Sequence, residues 1–221
     1  MPLYTKDGRS VFYVHVPKTG GTAIEAFFGQ NGFRVEYFDA GGPQSLNPYR
    51  RCAPQHMHAA QIMTLLRPAK FDYLFMTVRE PLRRVISEYK MLVRTVSDAP
   101  PLTQWFDVIS KQYLEDNYVA ENHIRPQSEF WLPSCDVYRQ EDGFGDALVE
   151  RIEEKLGMTL PYRKVGKYNE DPATKVEAAE VERVNSWSEG PISWCGLLCS
   201  RKQGGTVGNQ IRGGNRRVHR V

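Results

Sequence analysis

Short apolar runs alternate with segments of helical periodicity along most of the chain. Ser10–Val16 is rich in β-branched and aromatic residues, ends at Pro17 and is followed by a helical pattern over Thr22–Phe28. It therefore predicts a strand, a tight glycine-containing loop and a helix. The same plan is predicted a second time, with a strand over Asp72–Val78 and a helix from Pro81 to about Val96, because proline is favoured in a first helical turn.

Three further helices and two short strands complete the predicted elements. The helices are predicted over Leu102 to about Tyr118, Asp146–Leu156 and Ala173 to about Trp187, and the strands over Arg34–Tyr37 and Val165–Tyr168. Strands that alternate with helices, and are apolar on both faces, predict an α/β fold with a central parallel sheet covered on both sides. Ligands of such sheets bind at the carboxyl ends of the strands.

Composition places the chain among ordinary globular proteins. Its 221 residues are 41% hydrophobic and 25% charged, which excludes the disordered, collagen-like and disulfide-scaffold classes and fits one domain with additions. The apolar runs are far shorter than the ~20 residues that a membrane span requires. The polar N-terminus lacks an apolar signal segment, so we expect a cytoplasmic protein.

The C-terminal residues differ from the rest in charge. The formal net charge is +3, yet residues 190–221 contain six Lys or Arg, seven Gly and no acid, so the preceding residues are slightly acidic. We therefore predict a folded domain over 1–189 and an irregular or disordered basic tail over 190–221. A shifted reading frame or truncated gene would explain the break. Nucleic-acid binding by the tail is disfavoured, because interleaved aromatic residues are missing.

The segment HVPKTGGT, between the first predicted strand and its helix, has the composition of an anion-binding turn. Glycines let backbone N–H groups approach an oxyanion, the helix start adds its dipole, and lysine and threonine add further donors. The candidates are Pro17, Lys18, Thr19, Gly20, Gly21 and Thr22. Because the lysine precedes the glycines, this is not a Walker A loop. A turn with structural glycines and a solvated lysine is the alternative.

The segment TVREPLRRVISEYKM supplies a second pair of candidates. Arg79 directly follows the second predicted strand, and Ser87 lies two turns into the next helix. An arginine at a strand's carboxyl end can bind a phosphate through two hydrogen bonds, and the serine can donate from the adjacent helix. An ion pair of Arg79 with Glu80 and an exposed serine would explain the same residues.

Two histidines in PQHMHAAQI are candidates for a general base. His56 and His58 precede a helical pattern and lack further ligands at metal-type spacing. A histidine of ordinary pKa accepts a proton from a hydroxyl at neutral pH. The four cysteines also lack metal spacing, so we interpret them as structural thiols and expect no metal site.

The segment NHIRPQSEFW contains further polar candidates. His123, Arg125 and Gln127 offer donors for an acceptor or a nucleotide, and Trp131 can stack on a ring. Structural hydrogen bonds within a loop would explain these residues equally well.

Three of these segments carry a resemblance to a known family, and one of them, NHIRPQSEFW, is similar to a region that follows the second loop in its bacterial members. KTGGT after one strand and VREPLRRVISEY after another resemble the two signature loops of PAPS-dependent sulfotransferases (PAPS, 3′-phosphoadenosine 5′-phosphosulfate). The branch they resemble is that of heparan sulfate 2-O-sulfotransferases and other carbohydrate sulfotransferases. The resemblance implies a three-layer α/β/α sandwich of the P-loop nucleoside triphosphate hydrolase type. It covers about Val11 to Asn169.

The resemblance also implies residue roles. Lys18 to Thr22 would bind the 5′-phosphosulfate, Arg79 and Ser87 the 3′-phosphate, and a histidine of the HxH pair would be the catalytic base. We expect His58 to be that base, with His56 as second choice, and Lys18 to stabilise the departing phosphate oxygen.

The expected function is transfer of a sulfonate group from PAPS to a hydroxyl, with release of PAP. We expect the acceptor to be a carbohydrate and the reaction to need no metal. Two alternatives remain open. One is a nucleotide-phosphate transferase or kinase, since a strand–loop–helix cradle serves many phosphates. The other is a catalytically inactive protein that binds PAP or PAPS.

Overall fold

One sheet places the two strand–loop–helix units side by side. The computed structural model of the protein describes residues 1–166 and 176–187. Its sheet has the strand order β3–β1–β2–β4–β5, formed by β1 (Leu3–Lys6), β2 (Arg9–Val14), β3 (Arg34–Glu36), β4 (Tyr73–Val78) and β5 (Asp136–Arg139). The described residues form six α-helices: α1 (Gly21–Gln30), α2 (Ala59–Leu65), α3 (Pro81–Thr95), α4 (Leu102–Glu115), α5 (Asp146–Leu156) and α6 (Ala178–Trp187).

The sheet is mixed rather than wholly parallel. Strands β2, β4 and β5 are parallel, with Val14 opposite Met76, whereas β1 is antiparallel to both β2 and β3. The expectation of an all-parallel sheet is therefore wrong at this edge. The cause is a tight hairpin at Asp7 and Gly8, which both have positive φ, 49° and 76°. An Asp-Gly pair between two strands is a strong hairpin signal.

The two faces of the sheet carry separate hydrophobic cores. Along β2, Val11 and Tyr13 face α1 and α5, while Phe12 and Val14 face α2 and the segment around Phe130. Successive side chains of a strand point to opposite faces, so a strand buried on both sides reads as one continuous apolar run. Burial of such side chains supplies about 1.5–3 kcal/mol each, which fixes the register of the central strands.

A third core cluster joins α3, α4 and α6. It includes Val85, Phe106 and Val184, all at most 8% exposed. The helices of this cluster and α5 lie close to their predicted positions, and α5 ends at Gly157 in the left-handed conformation with φ of 63°. No helix in the described part of the chain is both long and apolar enough to cross a membrane.

The sequence-based prediction fails at several other places. β1 and β5 were not among the predicted strands, and Val165 and Gly166 are irregular although a strand is predicted at Val165–Tyr168. The last two residues of that strand, the first residues of the last helix and the predicted tail over 190–221 lie outside the described residues.

Candidate anion-binding active site

A cleft of about 1110 Å³ opens at the carboxyl ends of β2 and β4. Its walls are the loop that joins β2 to α1, one face of α3, and the side chains of His56, His123 and Gln140. Both predicted motif loops reach it because the parallel pairing of β2 with β4 brings their carboxyl ends together. The cleft is therefore the place where residues from distant parts of the sequence meet.

The β2–α1 loop has the conformation of an anion-binding turn. Lys18 and Gly20 have positive φ, 67° and 98°, and no side chain caps the N-terminus of α1. A Cβ atom on Gly21 would lie 1.9 Å from Nε2 of His15, so glycine is required there. Pro17, Gly20, Gly21 and Thr22 line the cleft, which places the start of α1 and its partial positive charge against it.

Thr19, in contrast, points away from the cleft. Its side chain is fully buried, donates to the Val16 carbonyl oxygen at 2.7 Å and contacts Oγ1 of Thr77 on β4 at 2.7 Å. Oγ1 of Thr77 also contacts the Tyr13 hydroxyl at 2.6 Å. Thr19 thus joins the loop to the sheet, and the structure does not bring its side chain to the candidate ligand site.

The cleft is strongly cationic. Five of its lining residues are Lys or Arg and none is Asp or Glu: Lys18, Arg79, Arg83, Lys90 and Arg94. Burial lowers the pKa of the Lys18 ammonium and of the Arg79 guanidinium from their usual values, although nearby carboxylates oppose the shift. Both groups remain cationic at neutral pH, and a concave low-dielectric surface of one sign concentrates anions.

Arg79 and Ser87 both line the cleft, as the sequence predicts, and Nη1 of Arg79 donates to the Lys18 carbonyl oxygen at 3.3 Å. Three further cations on α3 were not among the predicted candidates. Arg83, Ser87, Lys90 and Arg94 recur every three or four residues, which places them on one helix face. That spacing is visible in the sequence.

Three histidines from separate segments form a cluster beside the cleft. The ring of His56 packs edge-on against His15, with centroids 5.1 Å apart, and against His123 at 4.6 Å. Nε2 of His123 lies 3.3 Å from Nδ1 of His56, and Nδ1 of His123 lies 2.7 Å from Oε2 of the buried Glu88. Glu88, His123 and His56 thus form one chain of hydrogen-bonding groups.

Burial sets the charge of this cluster. It lowers the pKa of His15 and lowers that of His56 well below the ordinary value, with the neighbouring histidine His123 acting in the same direction. Burial alone would raise the pKa of Glu88, but the nearby His123, Lys18 and Arg84 outweigh it, and the net pKa is lowered. At neutral pH, His56 is therefore uncharged and Glu88 is ionised.

His58, the first choice for a catalytic base, does not line the cleft. Its Nδ1 lies 2.7 Å from Oε1 of Gln61, and its side chain caps the N-terminus of α2 in a capping box with the same glutamine. The ring also packs edge-on against Tyr118. The physical reason is the change of direction at the start of α2, which turns His58 inward and leaves His56 at the cleft.

Arg125 and Gln127 are also directed away from the cleft. The guanidinium of Arg125, 2% exposed as a residue, donates to Asn122, Asn117 and Glu129. Gln127 accepts from the Arg79 backbone N–H at 2.9 Å and donates to the Arg79 carbonyl oxygen at 2.7 Å. Trp131 is 46% exposed and does not line the cleft. Of the candidates in this segment, His123 alone lines it.

Arg84 is a supporting residue that the sequence analysis did not single out. Its buried guanidinium donates to the carbonyl oxygens of Pro17, Arg125 and His123 at 2.7–2.9 Å. It therefore ties the β2–α1 loop to the segment that carries His123. Burial lowers the pKa of Arg84 to about 10, so it stays protonated at neutral pH. Its signal in the sequence is its position on the buried face of α3, where Glu88 is the other charged residue among the apolar ones.

Neither cysteine within the described residues has the properties of a nucleophile. Cys52 and Cys135 are free thiols, and burial raises the pKa of both, that of Cys135 to about 12. Thiolate formation is therefore disfavoured at neutral pH. In the described part of the chain, no three His, Cys, Asp or Glu side chains converge in an arrangement that would hold a metal ion.

Comparison with known proteins gives the family. Residues 1–140, more than half of the chain, match a family model described as the sulfotransferase family. No curated protein and no solved structure matches the chain. The matched segment contains the β2–α1 loop, the cleft face of α3 and the three clustered histidines. The chain belongs to the sulfotransferase family.

Proposed function

We propose that this protein transfers a sulfonate group from PAPS to a hydroxyl of a carbohydrate acceptor and releases PAP. One observation carries the proposal: the two motif loops, with Lys18 and Arg79 separated by 61 residues, converge in a cleft that is lined by five cations and no carboxylate. PAPS carries several anionic groups at its two ends. The donor set of the cleft fits such a dianionic or polyanionic ligand.

The residues of the cleft divide naturally between the two ends of PAPS. The start of α1, with Gly20, Gly21 and Thr22, and the ammonium of Lys18 would bind the 5′-phosphosulfate, while Pro17 shapes the loop. Arg79 and Ser87 would bind the 3′-phosphate. Thr19 holds the loop to β4 and would act by positioning rather than by contact.

His56 is the group we assign as the base in place of His58. With a proton on Nδ1 of His123 donated to Glu88, Nε2 of His123 accepts from Nδ1–H of His56. This tautomer leaves the lone pair on Nε2 of His56 free to accept the hydroxyl proton. His123 and Glu88 would then stabilise the imidazolium that results, as positioning residues.

The reaction itself balances simply. The acceptor oxygen forms a bond to sulfur, the bond from sulfur to the bridging phosphate oxygen breaks, and the hydroxyl proton passes to His56. Lys18 would stabilise the negative charge on the departing phosphate oxygen. The catalytic task of the protein is mostly positioning and charge stabilisation, as in phosphoryl transfer.

We also propose the finer fold assignment, a three-layer α/β/α sandwich of the P-loop type. It is supported by α1 and α5 on one face of the sheet and α2 on the other. We assign residues 1–189 to one sulfotransferase domain, because α5 and α6 follow the matched segment yet pack into the cores of the fold.

A calorimetric titration tests the donor assignment. PAP is titrated without metal into the wild type, into Lys18→Ala and into Lys70→Ala, which removes the same charge from an exposed position outside the cleft. We expect binding to the wild type and to Lys70→Ala, and at least about tenfold weaker binding to Lys18→Ala, since a charge-assisted hydrogen bond contributes about 1.5–3 kcal/mol.

ATP serves as the control ligand, and Mg²⁺-dependent ATP consumption is measured in parallel. Failure of the folded wild type to bind PAP, or ATP consumption in its place, would contradict the donor assignment and favour a phosphate transferase. Binding of PAP without turnover of any hydroxyl compound would identify an inactive nucleotide-binding protein instead.

A further inference from the structure

A second cavity, of about 670 Å³, meets the cationic cleft at His56, Met91 and His123. Its outer wall is formed by residues 39–53, which connect β3 to the segment that carries His56. Since the cavity opens on the histidine that we assign as the base, a hydroxyl placed in it faces both that base and the cationic cleft. We name it the acceptor cavity.

The wall of the acceptor cavity is held in one conformation. The Asp39 carboxylate accepts from the backbone N–H groups of Gly41 and Leu46 and from Arg50, at 2.7–3.0 Å. The side-chain amide of Gln55, adjacent to His56, pairs with both backbone groups of Asp39. The wall is thus connected directly to the candidate base, so the cavity does not have to be assembled around its ligand.

The charge of the acceptor cavity is opposite to that of the cleft. Its lining includes three carboxylates, those of Asp39, Glu88 and Glu121, and no Lys or Arg. Arg50 pairs with Asp39, and Nζ of Lys18 lies 4.0 Å from Oε2 of Glu88. Glu121 is exposed, and none of the ion pairs among the described residues includes it. Two of the three charges are therefore balanced by the protein, and Glu121 leaves the entrance negative.

We propose that the acceptor is a hydroxyl compound without anionic groups, either an uncharged glycoside or one that bears an ammonium group. A carboxylate or sulfate beside the reacting hydroxyl would meet Glu121 with no Lys or Arg in the cavity to balance it. The five cations of the cleft line the donor side of His56, and Arg50, beside the acceptor cavity, is paired with Asp39. This inference rests on the proposed sulfonate transfer and specifies its acceptor class.

The test compares three acceptors of equal size: the 4-nitrophenyl glycosides of glucose, glucosamine and glucuronic acid. With PAPS as donor, we expect kcat/KM for the first two to exceed that for the glucuronide at least tenfold. Glu121→Lys should reduce this ratio at least threefold, with Glu121→Gln between it and the wild type. Glu115→Lys, the same reversal at an exposed position outside both cavities, should leave the ratio unchanged.

A binding measurement gives a readout without turnover. Saturation-transfer NMR on the PAP-bound protein should show the neutral and ammonium glycosides in contact and the glucuronide weakly or not at all. If PAP binds but the glucuronide is preferred or equal, or no glycoside of any charge binds, the inference is overturned while the donor assignment stands. If PAP itself does not bind, the proposed function fails first.

Discussion

The wall of the cationic cleft and the support layer, the polar side chains directly behind it, both contain arginine and histidine. Arg83 lines the cleft, whereas Arg84 is 4% exposed and donates to three backbone carbonyl oxygens. His56 faces the cleft, and His58 caps α2. Adjacent residues divide in the same way: Lys18 lines the cleft, and Thr19 is bound to the sheet behind it.

The difference between the two layers is what their side chains are bonded to. The side chains of the support layer form hydrogen bonds with backbone carbonyls, amides and hydroxyls of the protein, so they are fixed and unavailable to a ligand. The cations of the wall line a cleft without carboxylates, and Lys18 also lies 4.0 Å from the buried Glu88. Substitutions in the support layer should therefore act on stability first, and substitutions in the wall on binding and turnover.

The largest expected effect separates Arg84 from Arg83. Arg84→Met keeps the length of the side chain but leaves three buried carbonyl oxygens unpaired, so we expect the free energy of unfolding to fall by about 4 kcal/mol. Against a typical stability of about 5–15 kcal/mol, this is a large fraction. Arg83→Met should change it by no more than about 0.5 kcal/mol. Urea denaturation measures both, and equal destabilisation would break the distinction between the layers.

The second prediction separates His56 from His58. His56→Asn removes the proposed base and should lower turnover at least about 100-fold, with PAP affinity nearly unchanged. His58→Asn keeps a residue that caps helices well, so turnover should stay within about threefold of the wild type. Steady-state kinetics with PAPS, together with PAP calorimetry, measure the two effects. A greater loss for His58→Asn would restore His58 as the base.

The third prediction concerns Gln127, whose amide pairs with both backbone groups of Arg79. Gln127→Glu removes the donor to the Arg79 carbonyl oxygen and places a negative charge there, which should cost about 1–3 kcal/mol of stability. Because Arg79 is displaced, PAP affinity should also fall. Gln112→Glu, at an exposed position of α4, is the matched control. Unchanged stability with weakened acceptor binding would show instead that Gln127 contacts substrate.

The smallest effect is the dependence of stability on pH. Burial lowers the pKa of His15 and His56, so between their folded and unfolded pKa values the unfolded chain binds more protons. The free energy of unfolding should therefore fall as the pH is lowered below about 6.5, by up to about 1.4 kcal/mol per unit for each histidine. His56→Gln should reduce this slope in urea titrations at pH 7.5, 6.5 and 5.5. An unchanged slope would contradict the burial of a neutral His56.

Much of the cleft was predictable from local sequence. The strand–loop–helix units at β2–α1 and β4–α3 were predicted because apolar runs, Pro81 and the glycine pair are local signals. Because these units carry the two motif loops, seven predicted residues line the cleft: Pro17, Lys18, Gly20, Gly21, Thr22, Arg79 and Ser87. The antiparallel β1 was missed although its Asp-Gly turn was visible.

Sequence alone determined the periodicities, the two motif loops and the single-sign charge of the α3 face, because each depends on residues a few positions apart. Tertiary structure decided which member of each neighbouring pair faces the cleft. His123 joins His56 across 67 residues, and Arg84 reaches Pro17 across the same separation. Such contacts follow from the pairing of β2 with β4 and from the packing of α3. Local sequence does not reveal them, because a backbone turn between adjacent residues reverses the direction of a side chain without altering the pattern of hydrophobic and polar residues.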